Sequence, residues 1–318
     1  NIKIKLKFVK KKILIVGGSG FIGTNILKKI NKSTYQIYAS TFKSKKYLKV
    51  KNVKYIKGNL KNINFCRKIT KSIDSVIMCA AVSSGAMVMQ QNPMFHVDDN
   101  VLMNLNILKA SSENKVKKFI FISSNTVYPV SKKTMNEKNV NYSLFDKYFN
   151  VGWMKIFSEK ICQMYKNKMN ILILRPGNIY GPHDKFDPVK SKVIPSLIRK
   201  FEKRKIIEVW GDGNDIKDFI YVEDFVEIVL KLLKKPFNFL ILNVASGKSI
   251  SLRKIINILS DKYKVEKKNI VYNKSKPSMI PVRKINIQKL KVIINFSLKF
   301  SIKKGLIKTI EWYKKNKY

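Results

Sequence analysis

Gly17, Gly20 and Gly23 follow the apolar run Ile13-Leu14-Ile15-Val16 at G-x-x-G-x-x-G spacing, and Phe21-Ile22 opens a helical pattern inside them. Residues without Cβ at such a turn let backbone N–H groups approach a pyrophosphate, and the helix N-terminus adds partial positive charge there. The strand-to-helix context is the one a dinucleotide-binding turn requires; the plainer alternative is a structural glycine turn. An acidic residue about 20 positions on would hold the adenosine ribose hydroxyls. None is present, because the first carboxylate of the chain is Asp74. The end of the second strand reads Ala39-Ser40-Thr41-Phe42-Lys43-Ser44-Lys45-Lys46, where hydroxyls and ammonium groups tolerate a 2′-phosphate. Both NAD and NADP stay open, with Ser40 and Thr41 as candidate ribose contacts.

Such a turn needs a sheet behind it. Strand-length apolar runs at Ile13–Val16, Gln36–Ser40, Lys54–Lys57, Ser75–Cys79, Phe119–Ser123 and Ile171–Arg175 alternate with helical periodicity at Phe21–Ile30, Asn100–Ser112 and Asn150–Lys166. This alternation predicts an α/β fold, a doubly wound parallel sheet of Rossmann type covered on both faces. After Pro176 the breakers Gly181-Pro182, Asp187-Pro188, Ile194-Pro195 and Gly211-Asp212-Gly213 interrupt the pattern. We therefore expect a dinucleotide-binding domain over 1–176, with later segments of about 207–246 contributing to it. Residues 177–318 should form mainly a smaller C-terminal α/β substrate lobe.

Composition narrows the function classes. The 318 residues carry 65 Lys plus Arg against 20 Asp plus Glu, yet only six of the basic residues are Arg. Nucleic-acid reading favours the bidentate guanidinium, so a lysine excess spread over the whole chain reads as a codon habit, and we expect no nucleic-acid partner. No apolar run reaches the roughly 20 residues of a membrane span, and the alternating segment 1–8 reads as an extension before the first strand. Cys66, Cys79 and Cys162 have neither C-x-x-C nor metal-ligand spacing. No disulfide framework and no metal site are expected, and a reducing cytoplasm fits.

Further motifs run in order along the chain: Asn59-Leu60, Cys79-Ala80-Ala81, Ser123-Ser124-Asn125-Thr126-Val127-Tyr128-Pro129, Arg175-Pro176-Gly177-Asn178-Ile179-Tyr180-Gly181-Pro182-His183-Asp184, Val193-Ile194-Pro195, Val209-Trp210-Gly211-Asp212-Gly213 and Lys217-Asp218-Phe219-Ile220-Tyr221-Val222-Glu223-Asp224. With the glycine turn they make residues 12 to about 316 resemble the extended short-chain dehydrogenase/reductases, the NAD-dependent epimerase/dehydratase family. Within it the chain looks most like the GDP-fucose synthases and related GDP-sugar enzymes. The resemblance implies an NAD(P)-binding domain, a lobe for a nucleotide sugar, and a homodimer joined through two helices per subunit. It implies cofactor contacts at Gly17, Gly20, Phe21, Ile22 and Gly23, at Asn59 and Leu60 beside adenine, and at Ala80 and Ala81 beneath the cofactor. Asn100 matches a residue supporting the site from the following helix.

The resemblance also implies a catalytic Ser or Thr with a Y-x-x-x-K pair on one helix, where the ammonium lowers the phenol pKa and holds the nicotinamide ribose. Ser124 matches the hydroxyl and Lys155 the lysine, which also contacts cofactor. The tyrosine position holds Val151, which exchanges no proton. Three readings stay open. Tyr148 supplies the phenol, although seven helical residues would separate it from Lys155 by about 10.5 Å along the axis. A water held by Ser124 and Lys155 relays the proton. Or the site has kept binding and lost chemistry.

Asn125 and Thr126 replace the Asp-Glu pair of the dehydratases, and Thr126 and Lys192 replace the Cys and His of the double epimerases. For the substrate, Ser124, Asn178, Val193, Trp210, Lys217 and Arg283 match positions around the sugar, diphosphate and base. His183 reads as structural, and His96 as a packed or surface residue. The expectation is an NAD(P)-dependent oxidoreductase of a GDP-sugar acting at C4, of GDP-heptose 4-dehydrogenase type, in surface polysaccharide precursor synthesis. A nucleotide-sugar epimerase or 4-keto-reductase, and a non-catalytic cofactor- and nucleotide-sugar-binding protein, are the alternatives.

Overall fold

In a computed structural model, the structure describes residues 10–44, 47–84, 88, 91–203, 205–276 and 280–316. Segment 1–8 and the pair Lys45-Lys46 lie outside the described residues. The strands in chain order are β1 (Lys11–Val16), β2 (Tyr35–Thr41), β3 (Val53–Lys57), β4 (Ser75–Met78), β5 (Lys118–Ile122), β6 (Thr134–Met135), β7 (Asn170–Pro176), β8 (Asn178–Tyr180), β9 (Ile207–Trp210), β10 (Ile216–Tyr221), β11 (Phe239–Val244), β12 (Ser249–Ser251), β13 (Ile270–Asn273) and β14 (Lys284–Ile285).

Seven of them form one parallel sheet in the order β11-β7-β5-β4-β1-β2-β3. The near-continuous apolar character of β1, β5 and β7 follows from burial on both faces. Ile13 and Ile15 face one core with the helices Phe21–Lys29 and Val222–Lys234, while Leu14 and Val16 face another with Ile63–Thr70 and Asp98–Glu113. The chain reverses its direction of winding between β1 and β4. The crevice beyond the carboxyl ends of those two strands is where ligands bind in doubly wound sheets.

The segment of about 207–246 is divided. Helix Val222–Lys234 and β11 join the large sheet and its core, whereas β9 pairs with β13, and β10 with β8 and β12, around a separate core. Strand polarity explains the split: β11 reads Phe-Leu-Ile-Leu-Asn-Val, suited to a covered sheet, while β9 alternates buried and half-buried residues. A further small cluster gathers Val127, Tyr128, Met135, Leu144, Ile156, Ala245 and Ile285.

Candidate active site

Gly17 has φ +84°, and a Cβ on it would lie 2.7 Å from the backbone of Ala80; one on Gly23 would lie 2.3 Å from the Gly17 carbonyl. A side chain at position 17 would push the turn off the Ala80 segment, and one at position 23 would push the helix off its own turn. Helix Phe21–Lys29 begins at Gly20 with no side-chain cap and no acidic residue in its first turn. Its first N–H groups are left to an anion, so the turn fits the pyrophosphate of a dinucleotide. Phe21 and Ile22 pack on the core beneath.

Ser40 is turned toward this loop and away from the cleft. Its Oγ accepts from Gly17 N at 3.0 Å and its carbonyl accepts from Gly18 N, and both Ser40 and Thr41 are buried. Ser40 thus holds the turn, and the hydroxyl reaching the rim is Ser44, in hydrogen-bond contact with Ser19 Oγ at 3.1 Å. Asn59 Oδ1 accepts from Lys61 N, and the Leu60 side chain is buried under Ile63–Thr70, with its carbonyl accepting from Asn106 Nδ2 at 3.0 Å and from Cys66 Sγ. Asn100 accepts from Val82 N at 2.9 Å and donates to the carbonyls of Val82 and His96, fixing the segment that continues from Ala80 and Ala81. The ring of His96 is buried with neither nitrogen partnered, and burial lowers its pKa to about 4.

Ser124 lies just past β5, and its Oγ accepts from Thr126 N at 3.1 Å, keeping its own proton free to donate. Lys155 lies in the first half of helix Phe149–Met164 and donates to the Ile122 carbonyl at 3.0 Å. Burial lowers its pKa to about 8, helped by Lys192 and opposed by Glu159 and Cys162. Ser124 and Lys155 thus converge on the end of β5. Val151 is half-buried one turn before Lys155. Tyr148 is elsewhere: it closes a 3-10 turn (Asp146–Tyr148) and caps the helix from outside. Burial and Asp215 raise its phenol to about 12, against Arg283. Its electrostatic company is therefore that of the second lobe.

On that side Arg283 is 2% exposed and donates to the carbonyls of Tyr128 and Pro129 at 2.9 and 2.8 Å, while its Nε has no partner. Lys217 is paired with Asp215 at 2.5 Å, and Asn178 donates to the Asp218 carbonyl. Trp210 donates to Glu208 at 3.2 Å with the Lys200 ammonium over its ring, and Val193 opens helix Val193–Lys203. The His183 ring lies 4.8 Å from that of Trp312 and 3.5 Å from the Lys28 ammonium, a packing role across the lobes.

Sequence reasoning passed over Glu159 and Ser123. Glu159 accepts from Ser123 Oγ at 2.5 Å and takes the Arg175 guanidinium in a two-point grip at 3.0 and 2.6 Å, all three groups buried. The available signal was a glutamate one turn beyond Lys155. Among the described residues no group of His, Cys, Asp or Glu could hold a metal ion.

A family model described as NAD dependent epimerase/dehydratase family matches residues 13–245. A GDP-L-fucose synthase of Sinorhizobium fredii is 27% identical over 315 residues, 96% of each chain. A dTDP-4-dehydro-6-deoxy-D-allose reductase of a Streptomyces species is 24% identical over 98% of each chain. Among solved structures, a UDP-glucose 4-epimerase of Thermotoga maritima with UDP-glucose superposes with TM-score 0.86 at 22% identity, over 96% of this chain and 99% of that one.

Proposed function

This chain belongs to the NAD dependent epimerase/dehydratase family, and from that premise we propose that it is an NAD- or NADP-dependent oxidoreductase of a nucleoside-diphosphate sugar, with hydride moving to or from C4. The observation that carries the reading is the convergence of Ser124 and Lys155 at the end of β5, across the crevice from an uncapped glycine turn. Bound there, the nicotinamide would supply or accept the hydride. Ser124 would donate to the reacting sugar oxygen. Lys155 would hold the nicotinamide ribose, and with Ser124 it would orient the water that carries the proton in place of a phenol at Val151.

Arg283, with one N–H unpartnered, and Lys217 would take the diphosphate, Asn178 would support them, and Val193 and Trp210 would line the base. Likeness to a GDP-L-fucose synthase supports a GDP-sugar, and the product would feed surface polysaccharide precursors. A 4-keto-reductase agrees with the dTDP-4-dehydro-6-deoxy-D-allose reductase, and is better supported than oxidation of a GDP-heptose. We place the enzyme in the cytoplasm as a homodimer. Three free thiols suit a reducing compartment, and no helix among the described residues is long and apolar enough to cross a membrane. Helices Asp98–Glu113 and Phe149–Met164 lie side by side, with Leu102, Phe157 and Met164 exposed on them, the face two subunits would share. The second reading, a binding protein without turnover, is favoured by Val151 alone.

A panel of GDP-, UDP- and dTDP-sugars, with both cofactors in both redox states, tests the reading through absorbance of the reduced nicotinamide. Turnover with at least one sugar is expected; binding of sugars and cofactor with no turnover at all would make it a binding protein. Lys155→Met should weaken cofactor binding about 10- to 100-fold, the worth of a charge-assisted hydrogen bond, and remove turnover. Calorimetry giving unaltered affinity would move the ribose contact to another residue.

A further inference from the structure

Lys155 and Ser124 belong to different elements, a helix and the end of a strand, and something must hold them in register. The buried carboxylate of Glu159 touches both elements. It lies four residues beyond Lys155 on the same helix face, and it accepts from Ser123 Oγ, the residue next to Ser124, at 2.5 Å. Arg175 on β7 closes the arrangement with two bonds to Glu159, and it also donates to the Tyr128 hydroxyl at 3.2 Å and the Glu137 carbonyl at 2.8 Å. Tyr128 in turn donates to Asn243 Oδ1 at 2.6 Å.

We propose that Glu159 is a positioning residue: clamped by Arg175, it fixes the Ser123-Ser124 step against the helix and keeps Lys155 charged at the cofactor ribose. The proposal rests on the cofactor reading above. The groups acting on the Lys155 ammonium are Glu159 and Cys162 from its own helix and Lys192 from the segment before Val193, with the Phe121 ring 4.9 Å away. Among these the negative partner is the Glu159 carboxylate that pairs with Arg175, since burial pushes the Cys162 thiol far up. Ammonium charge, and with it the ribose contact, should be present below about pH 8 and be lost as pH rises through that value. Without the carboxylate, the loss should come at lower pH.

The test follows NADH and NADPH fluorescence on binding from pH 6 to 10, in the full chain. For the parent, affinity should fall through a midpoint near pH 8, and Lys155→Met should abolish that dependence. Glu159→Gln should move the midpoint down by about one unit, the scale of removing a close opposite charge. Because this change leaves Arg175 unpaired, the doubly neutral Glu159→Gln with Arg175→Gln is measured beside it and should shift the midpoint the same way. A merely structural glutamate would weaken folding and leave the midpoint in place. Unchanged midpoints in whichever variant folds, or failure of both to fold, would overturn the positioning role. A parent that binds neither reduced cofactor at any pH would overturn the cofactor reading instead.

Discussion

Replacing Arg175 by Met should destabilise the protein by about 3–5 kcal/mol, the cost of leaving a buried charge without its partner. The side chains of Arg175 and Glu159 are 4% and 7% exposed, so water cannot take over. Burial alone would lower the guanidinium pKa, yet Glu159 and Tyr128 outweigh it and the net shift is upward. Removing Arg175 also strips a donor from the Tyr128 hydroxyl and from the Glu137 carbonyl. For a chain of this size the melting temperature should fall by roughly 4–8 °C. The double variant Arg175→Met with Glu159→Leu should recover most of that loss, since an apolar pair of similar volume removes both desolvation penalties. Urea unfolding of the three proteins measures it. A single variant within about 1 kcal/mol of the parent would mean that solvent reaches the pair and that the clamp is not rigid.

The same pair marks where reading the sequence stops. The six strands and three helices expected from periodicity all occur, within two residues at their ends, because buried strands carry an unbroken apolar signal and the glycine turn fixes the first of them. Helix Ile63–Thr70 went unmarked because it is eight residues long, and β11 was expected only as part of the segment of about 207–246, not as a strand of its own. Side-chain direction was legible only where a motif dictates it. Ser124 and Lys155 were matched through the family resemblance, and both lie at the end of β5. Ser40 turned inward because a strand alternates its faces, and the glycine loop offered it an N–H to accept. Glu159 and Arg175 are 16 residues apart, on elements whose packing no local pattern records. The burial of His96 has the same origin: its backbone is held by Asn100, four residues on, and its ring follows.

Val151→Tyr should raise turnover by about 10²- to 10⁴-fold, the usual worth of a positioned general acid or base. Position 151 is four residues before Lys155, so a phenol there would share its face of the helix. Gly152, which follows, packs against Leu144 and the Thr126 carbonyl: a Cβ on it would lie 2.7 and 2.8 Å from them. The helix therefore already approaches the Ser124 loop as closely as a phenol needs, and the Lys155 ammonium would lower its pKa into a working range. The competing phenol, Tyr148, stands seven residues before Lys155 in the turn ahead of the helix, and burial, with Asp215 and against Arg283, pushes it up to about 12. Tyr148→Phe should accordingly leave kcat within about twofold and alter only the KM for the nucleotide sugar. Steady-state kinetics on the best sugar of the panel separates the cases. If Tyr148→Phe abolishes turnover while sugar still binds, the proton comes from Tyr148. If Val151→Tyr gains nothing over an active parent, the relay through Ser124 and Lys155 is already not limiting, and hydride transfer or product release sets the rate.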